Sequence, residues 1–171
     1  MATMIVETGT GAATSNSYCS LDDADTYHEK RLYVTDWTGA SDDDKEAALM
    51  WATRLIDQMV DFNGYAINST QALAWPRSMV YDRNGYAFAS NAIPSWLSEA
   101  TAEFARQLIA ENRSAETNRD LIGFKEIKVD TLQLKVDTGV ASSKPVMPPE
   151  VWSMIKFYGR KIGSSKTLVR V

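Results

Sequence analysis

The sequence predicts a mainly α (α+β) fold: a small bundle of about four helices with a long mid-chain loop and one small β element. Three observations carry this expectation. Apolar residues recur at three- and four-residue intervals in successive stretches that open on helix-starting signals. One later stretch, "FKEIKVDTLQLKVD", switches to period two. At 171 residues, 44% of them hydrophobic, the chain has the length and composition of one folded domain.

Residues 1–18 are rich in Gly, Ala, Thr and Ser, with "MIV" as their apolar anchor, and are expected to form an extended N-terminal arm with a short strand at 4–7. A single domain is expected over 19–158, opening with a helix at about 20–32. There Ser20 stands three residues before Asp23, acids fill the first turn, and Leu21, Ala24, Tyr27, His28 and Leu32 fall at helical spacing. The clearest helix is "SDDDKEAALMWATRLIDQMVDFNG". Ser41 is its natural N-cap, three aspartates oppose the helix dipole, and Gly64 stops it. Leu49, Ala52, Thr53, Ile56, Met59 and Val60 give it one apolar stripe.

Residues 64–92 show little period. Trp75 precedes Pro76 and is therefore pushed toward an extended backbone. "DRNG" at 82–85 is a turn signal between Tyr81 and Tyr86, which predicts a small hairpin. "IPSWLSEATAEFARQLIAENR" is the third helix, with Leu97, Ala100, Phe104 and Leu108 along one face and Thr101 and Ala105 beside them. At 124–137 the alternation of Ile127, Val129, Leu132, Leu134 and Val136 predicts either a hairpin turning at Asp130-Thr131 or one bulged strand. A stiff "SSKPVMPP" linker leads to a short helix with Val151, Trp152, Ile155 and Tyr158 on one side. Residues 159–171 form a basic C-terminal tail.

The net charge is −4, which argues against a general nucleic-acid coat. The charge is uneven: residues 20–46 carry nine acidic side chains against three basic, and residues 159–171 carry four basic and no acidic ones. One cysteine, Cys19, rules out an intrachain disulfide. The first residues lack the pattern of a secretory signal, and no run of about 18 apolar residues predicts a membrane span. The expected setting is a reducing cytoplasm.

No catalytic set emerges. His28 is the sole histidine and is expected on the charged, exposed or half-packed side of the first helix, without ligand-spaced partners. Cys19 is expected as a small, half-buried residue. One His and one Cys cannot supply a zinc site, and the acidic clusters are explained by helix N-termini. "GTGAA" at 9–13 is too short for a phosphate loop and lacks the lysine. No cofactor, metal or enzymatic activity is expected. A single-strand DNA binder would use aromatic platforms beside cations. Trp75, Tyr81, Tyr86 and Phe88 near Arg77 and Arg83 are the local candidates. The alternative is that Trp75 plugs the space between helices while Arg77 anchors the loop to an acid or a carbonyl.

Taken in order, the blocks "NSYCSLDDADTYH", "KEAALMWATRLID", "QALAWPR" with its following "DRNG" turn, "IPSWLSEATAEFA" and "PEVW" resemble a tailed-phage family of head–tail connector, adaptor or head-completion proteins. Some sequences of this kind carry a DnaT-like single-stranded-DNA-binding label. The resemblance spans most of residues 4–158, and the cluster Gln71, Leu73, Trp75, Pro76 and Arg77 is specific in combination with the preceding "ALMWATRLID" block. It implies a virion protein at the neck, made in the host cytoplasm: a subunit of a homo-oligomeric ring, commonly a dodecamer, joining the portal protein to the tail or nozzle protein. Genomic double-stranded DNA would pass through without sequence-specific binding, and no membrane is involved. In that setting Asp22, Asp23, Asp42, Asp43 and Asp44 are candidates for an acidic channel lining along which a polyanion slides. Arg160, Lys161, Lys166, Leu168 and Arg170 are candidates for docking on the portal. The alternative function is a single-stranded-DNA-binding replication accessory protein.

Overall fold

The helical stretches pack as the apolar periodicity requires, and the segments between them close over one core. The computed structural model describes residues 3–111, 127–129, 132–134 and 145–162. In chain order the elements are α1 (Leu21–Glu29), α2 (Thr35–Thr38), α3 (Asp42–Met59), β1 (Val60–Phe62), β2 (Tyr65–Ala66), β3 (Arg77–Ser78), α4 (Ser95–Ala110), β4 (Ile127–Val129), β5 (Leu132–Leu134), α5 (Pro149–Ile155) and β6 (Gly159–Lys161). The fold is mainly helical, with small two-stranded sheets.

Both predicted caps form. The Ser20 and Ser41 hydroxyls accept the N–H groups of Asp23 and Asp44, so each helix starts where its orphan donors are met. α3 and α4 pack against each other through Leu49, Ala52 and Ile56 on one side and Leu97, Ala100 and Phe104 on the other, all fully buried. α1 and α5 pack on α4. The expected stripe from Leu49 to Ile56 is therefore the core face of α3, with Thr53 included because its hydroxyl accepts the N–H of Tyr18 at 3.2 Å. The helix stops at Met59 rather than at Gly64: Val60, expected on the same stripe, turns extended at φ −123° and ψ 123° and opens β1.

Three further parts differ from expectation. α1 ends at Glu29 rather than near 32: Tyr33 takes a left-handed backbone, φ 61°, and with Leu32 stays exposed. That turn leads into α2, a short helix too brief to leave a period in the sequence. It buries Trp37, whose indole N–H donates to Asp25 Oδ1 at 2.7 Å. His28 is the second correction: it is 1% exposed rather than at the surface. It sits on the α1 face turned to α4, where its Nε2 lies 3.1 Å from the Ala102 carbonyl and its ring lies against Trp37. The third is the start of the tail. Gly159–Lys161 form β6, antiparallel to β1 in the register Val60↔Lys161, Asp61↔Arg160, Phe62↔Gly159. Those three residues thus belong to the body of the fold.

The N-terminal residues are extended and lie on the body rather than apart from it. Val6 bridges Ser17, and Tyr18 is buried. Glu7, 3% exposed, turns its carboxylate into "GTGAA": Oε1 accepts the N–H groups of Gly9 at 2.8 Å and Gly11 at 3.0 Å, and Oε2 accepts that of Ala12 at 2.9 Å. Burial opposes ionisation there, but the Ser15 hydroxyl and these three N–H donors together outweigh it and hold the carboxyl below its usual value. The Gly-rich loop is filled by the chain's own acid. Gly9 needs its φ of +103°, and a Cβ would collide with the carbonyl of Asn91. Gly9→Ala is expected to lower stability by about 2–3 kcal/mol, read as a fall in the urea midpoint.

Within "FKEIKVDTLQLKVD" the described residues are β4 and β5, which pair antiparallel with Val129 opposite Leu132. The 81–87 hairpin forms, with Tyr81 bridging Ala87 and the Asp82 N–H donating to the Tyr86 carbonyl at 2.8 Å.

Candidate nucleic-acid interface

Of the aromatic and basic residues that could meet a single strand, those of "QALAWPR" are turned inward. Trp75 is fully buried, following a tight ladder of polar contacts that fixes the loop. Tyr18 donates its hydroxyl to Asp57 Oδ1 at 2.6 Å, the Ala74 N–H donates to Asp57 Oδ2 at 2.9 Å, and the Trp75 N–H donates to the Tyr18 hydroxyl at 3.1 Å. Gln71 closes the loop on itself. Its Oε1 accepts from the N–H groups of Ile67 and Asn68, and its Nε2 donates to the carbonyls of Leu73 and Pro76. The Trp75–Pro76 peptide is cis.

Arg77 makes four hydrogen bonds, all to backbone carbonyls: Asn63 at 2.8 Å, Ala74 at 3.1 Å, Phe62 at 3.2 Å and Gly64 at 2.7 Å. A guanidinium has five N–H donors, so little of it remains for a phosphate. Trp75 itself meets Phe62, Phe88 and Trp96 edge-on at ring distances of 5.5–6.3 Å, and Trp96 stacks on Tyr158 at 4.2 Å. Leu73 is partly buried beside this cluster. The alternative reading of the loop holds: Trp75 is a plug and Arg77 an anchor on carbonyls.

Tyr81, Tyr86 and Arg83 stand outside. The two tyrosines are 51% and 73% exposed, and the Arg83 guanidinium lies 5.5 Å over the ring of Phe157. Phe88 is half buried against Trp75. The same corner brings in residues that sequence periodicity missed. Tyr65 stands on β2 opposite Ser78, and Met79 follows β3. Phe157 follows α5 and is exposed, whereas Val151 and Ile155 of that helix are buried. The available signal was Phe157 itself, a large aromatic residue off the apolar face of its helix.

A family model described as "Putative DnaT-like ssDNA binding protein" matches residues 2–171. The chain belongs to that family. No curated protein and no solved structure matches it. The DnaT-like description agrees with the single-strand alternative drawn from the sequence better than with the connector.

The chemistry of this DnaT-like chain's titratable groups is that of a packed interior. Burial pushes the Cys19 thiol up to about 11 and holds the His28 imidazole below its ordinary value. A thiol so protonated is a poor nucleophile. Among the described residues no group of three or more His, Cys, Asp or Glu is placed to hold a metal ion, and no helix is long and apolar enough to cross a membrane. The acids proposed for a channel lining, Asp22, Asp23, Asp42, Asp43 and Asp44, are exposed in the first turns of α1 and α3. Arg160 pairs with Asp61 at 2.8 Å, and Lys161 lies over the Trp152 ring. Lys166, Leu168 and Arg170 lie outside the described residues.

Asp57 gives the loop a pH dependence. Burial raises its carboxyl to about 6, although Tyr18, the Ala74 N–H and Arg77 pull it partly back. A carboxyl raised in the fold contributes stability that is fully present below its unfolded value and lost as pH rises through about 6. Acidification from pH 7 to 5 should therefore strengthen this contact by about 1 kcal/mol. His28, held low, works in the opposite sense, so the measurement is a difference: Asp57→Asn should flatten the acid-side gain in urea midpoint relative to the unsubstituted protein.

Proposed function

We propose that this protein is a non-catalytic binder of single-stranded DNA. The family match over residues 2–171 carries this reading. It is supported by exposed aromatic rings beside an exposed arginine, since every base offers a π-face to stack and every linkage a charge to neutralise. The net charge of −4 makes the expected binding salt-sensitive and dependent on a local cationic surface rather than on the whole molecule. Titrating the full chain into a labelled oligothymidine at low and moderate salt tests it. Binding should weaken linearly in log salt, by about 0.7 log units per phosphate contacted for each log unit of salt. No binding at low salt would sink the proposal.

A second reading is favoured by the ordered block resemblance: a connector subunit that forms a homo-oligomeric ring between portal and tail and continues the DNA channel. Leu32 and Tyr33, 79% and 87% exposed, are the kind of apolar surface that a neighbouring subunit covers. Imaging the protein mixed with its portal tests this. A persistent monomer that never joins portal or virion ends it.

A further inference from the structure

Ten large hydrophobic side chains are exposed among the described residues, and five of them stand on segments that meet at one corner of the fold: Tyr65, Met79, Tyr81, Tyr86 and Phe157. They come from three separate pieces of sequence, and a chain of backbone contacts brings these together. Tyr65 lies in register with Ser78, one residue before Met79. The Phe88 N–H donates to the Val80 carbonyl, closing the hairpin that carries Tyr81 and Tyr86. Asn63, two residues before Tyr65, donates its side-chain amide to the Phe157 carbonyl at 3.3 Å, and its N–H to that of Tyr158 at 2.9 Å. Arg83, at the hairpin tip, reaches back over Phe157.

The charge at this corner runs against the whole. Arg83, Lys156, Arg160 and Lys161 stand near it, with Asp61 and Asp82 as its acids. Asp61 is matched to Arg160. The Asp82 carboxylate is turned into its own loop, accepting the N–H groups of Asn84 and Tyr86 at 2.8 Å each. No acid among the described residues lies within ion-pair distance of Arg83. An acidic protein thus presents its exposed rings on a locally cationic surface. The backbone adds a separate sign. Met79 holds φ 58°, a left-handed conformation that costs a non-glycine residue energy, yet the residue is 63% exposed. Strain kept at a solvent-facing apolar residue points to a surface in use.

We propose that this corner is where single-stranded DNA binds, its bases stacking on Tyr65, Tyr81, Tyr86 and Phe157 around both faces of the hairpin, with Met79 as an apolar contact and Arg83 as the cation that meets the backbone. The proposal rests on the single-strand reading above. It places the site away from "QALAWPR", on the hairpin that this loop supports.

The test uses anisotropy of a fluorescein-labelled oligothymidine with the full-length protein. The paired Tyr81→Ala/Tyr86→Ala substitution should weaken binding about 100-fold, as the loss of two stacked bases requires. Arg83→Ala should reduce the salt slope by about 0.7. Leu32→Ala, exposed elsewhere, should leave affinity unchanged. These side chains are exposed, so thermal melts should show each variant folded. If the unsubstituted protein binds and the tyrosine pair does not weaken it, this site is wrong while the single-strand reading stands. If the unsubstituted protein does not bind, both fall. If the tyrosine pair instead disperses a self-association without touching oligonucleotide affinity, the corner is a protein contact and the proposal is overturned.

Discussion

Trp75→Ala is expected to destabilise the fold by about 3–5 kcal/mol, read as a lower urea midpoint at unchanged slope. The side chain is fully buried and meets three other aromatic rings, so its removal leaves a cavity whose walls are rigid planes that cannot collapse into it. One term works the other way. The indole N–H has no hydrogen-bond partner among the described residues, and deleting an unmet buried donor returns part of the loss. Trp75→Phe separates the two. It keeps much of the apolar contact, removes the unmet donor, and should cost under about 2 kcal/mol. Neither substitution should change oligonucleotide affinity once the protein is folded. A loss below about 1 kcal/mol for the alanine variant would mean that the ring is not the plug described here.

How far the sequence reaches depends on how each element is stabilised. α3 and α4 are legible because each is long and amphipathic, and because Ser41 and the Asp42–Asp44 run announce where α3 begins. The β4–β5 pair is legible from its period of two. α2 is not, since four residues leave no period and its anchor, Trp37, is held by Asp25 and the His28 ring, both supplied by another helix. β1 and β6 pair across 99 residues between Asp61 and Arg160, and nothing local to either strand marks the partner. His28 was misplaced for a related reason. Its neighbours Glu29 and Lys30 are exposed, and only the packing of α1 on α4 turns the imidazole to the Ala102 carbonyl.

The candidate site divides the same way. "QALAWPR" stands out in the sequence because a tryptophan, a proline and an arginine fall together, and the fold uses them as a buried plug and an anchor with four hydrogen bonds. That prominence reflects packing. The exposed corner reads weakly, because single tyrosines on short strands carry no period and their common location exists only in the fold. Whole-chain charge misleads for a similar reason: the acids of α1 and α3 dominate the sum, although the described acids near Arg83 are each engaged elsewhere.

Glu103→Ala is expected to cost about 3–5 kcal/mol, rivalling the tryptophan, although it removes no large apolar group. Glu103 lies on α4 with its side chain fully buried, and it serves two cations at once: Arg31 Nη1 at 2.9 Å from Oε2 and Arg106 Nη2 at 2.6 Å from Oε1. Gln107 adds a third donor at 3.1 Å. Taking the anion away leaves Arg106, whose side chain is only 17% exposed, as a largely buried charge without it. The cost is therefore mainly that of the stranded partner rather than the worth of the bond. Arg31 is different. Its side chain is 36% exposed, so water replaces the carboxylate when the bond is cut. Arg31→Ala should cost about 1 kcal/mol or less. The asymmetry is the diagnostic: Glu103→Ala well above Arg31→Ala, with Glu103→Gln between them because the amide keeps an acceptor but not the charge. Arg31 also ties the end of α1, and the Tyr33 turn after it, to α4. Backbone amides at 30–34 should therefore exchange faster in either variant than in the unsubstituted protein. Equal costs for Glu103→Ala and Arg31→Ala would show that the burial of Arg106 does not set the energy.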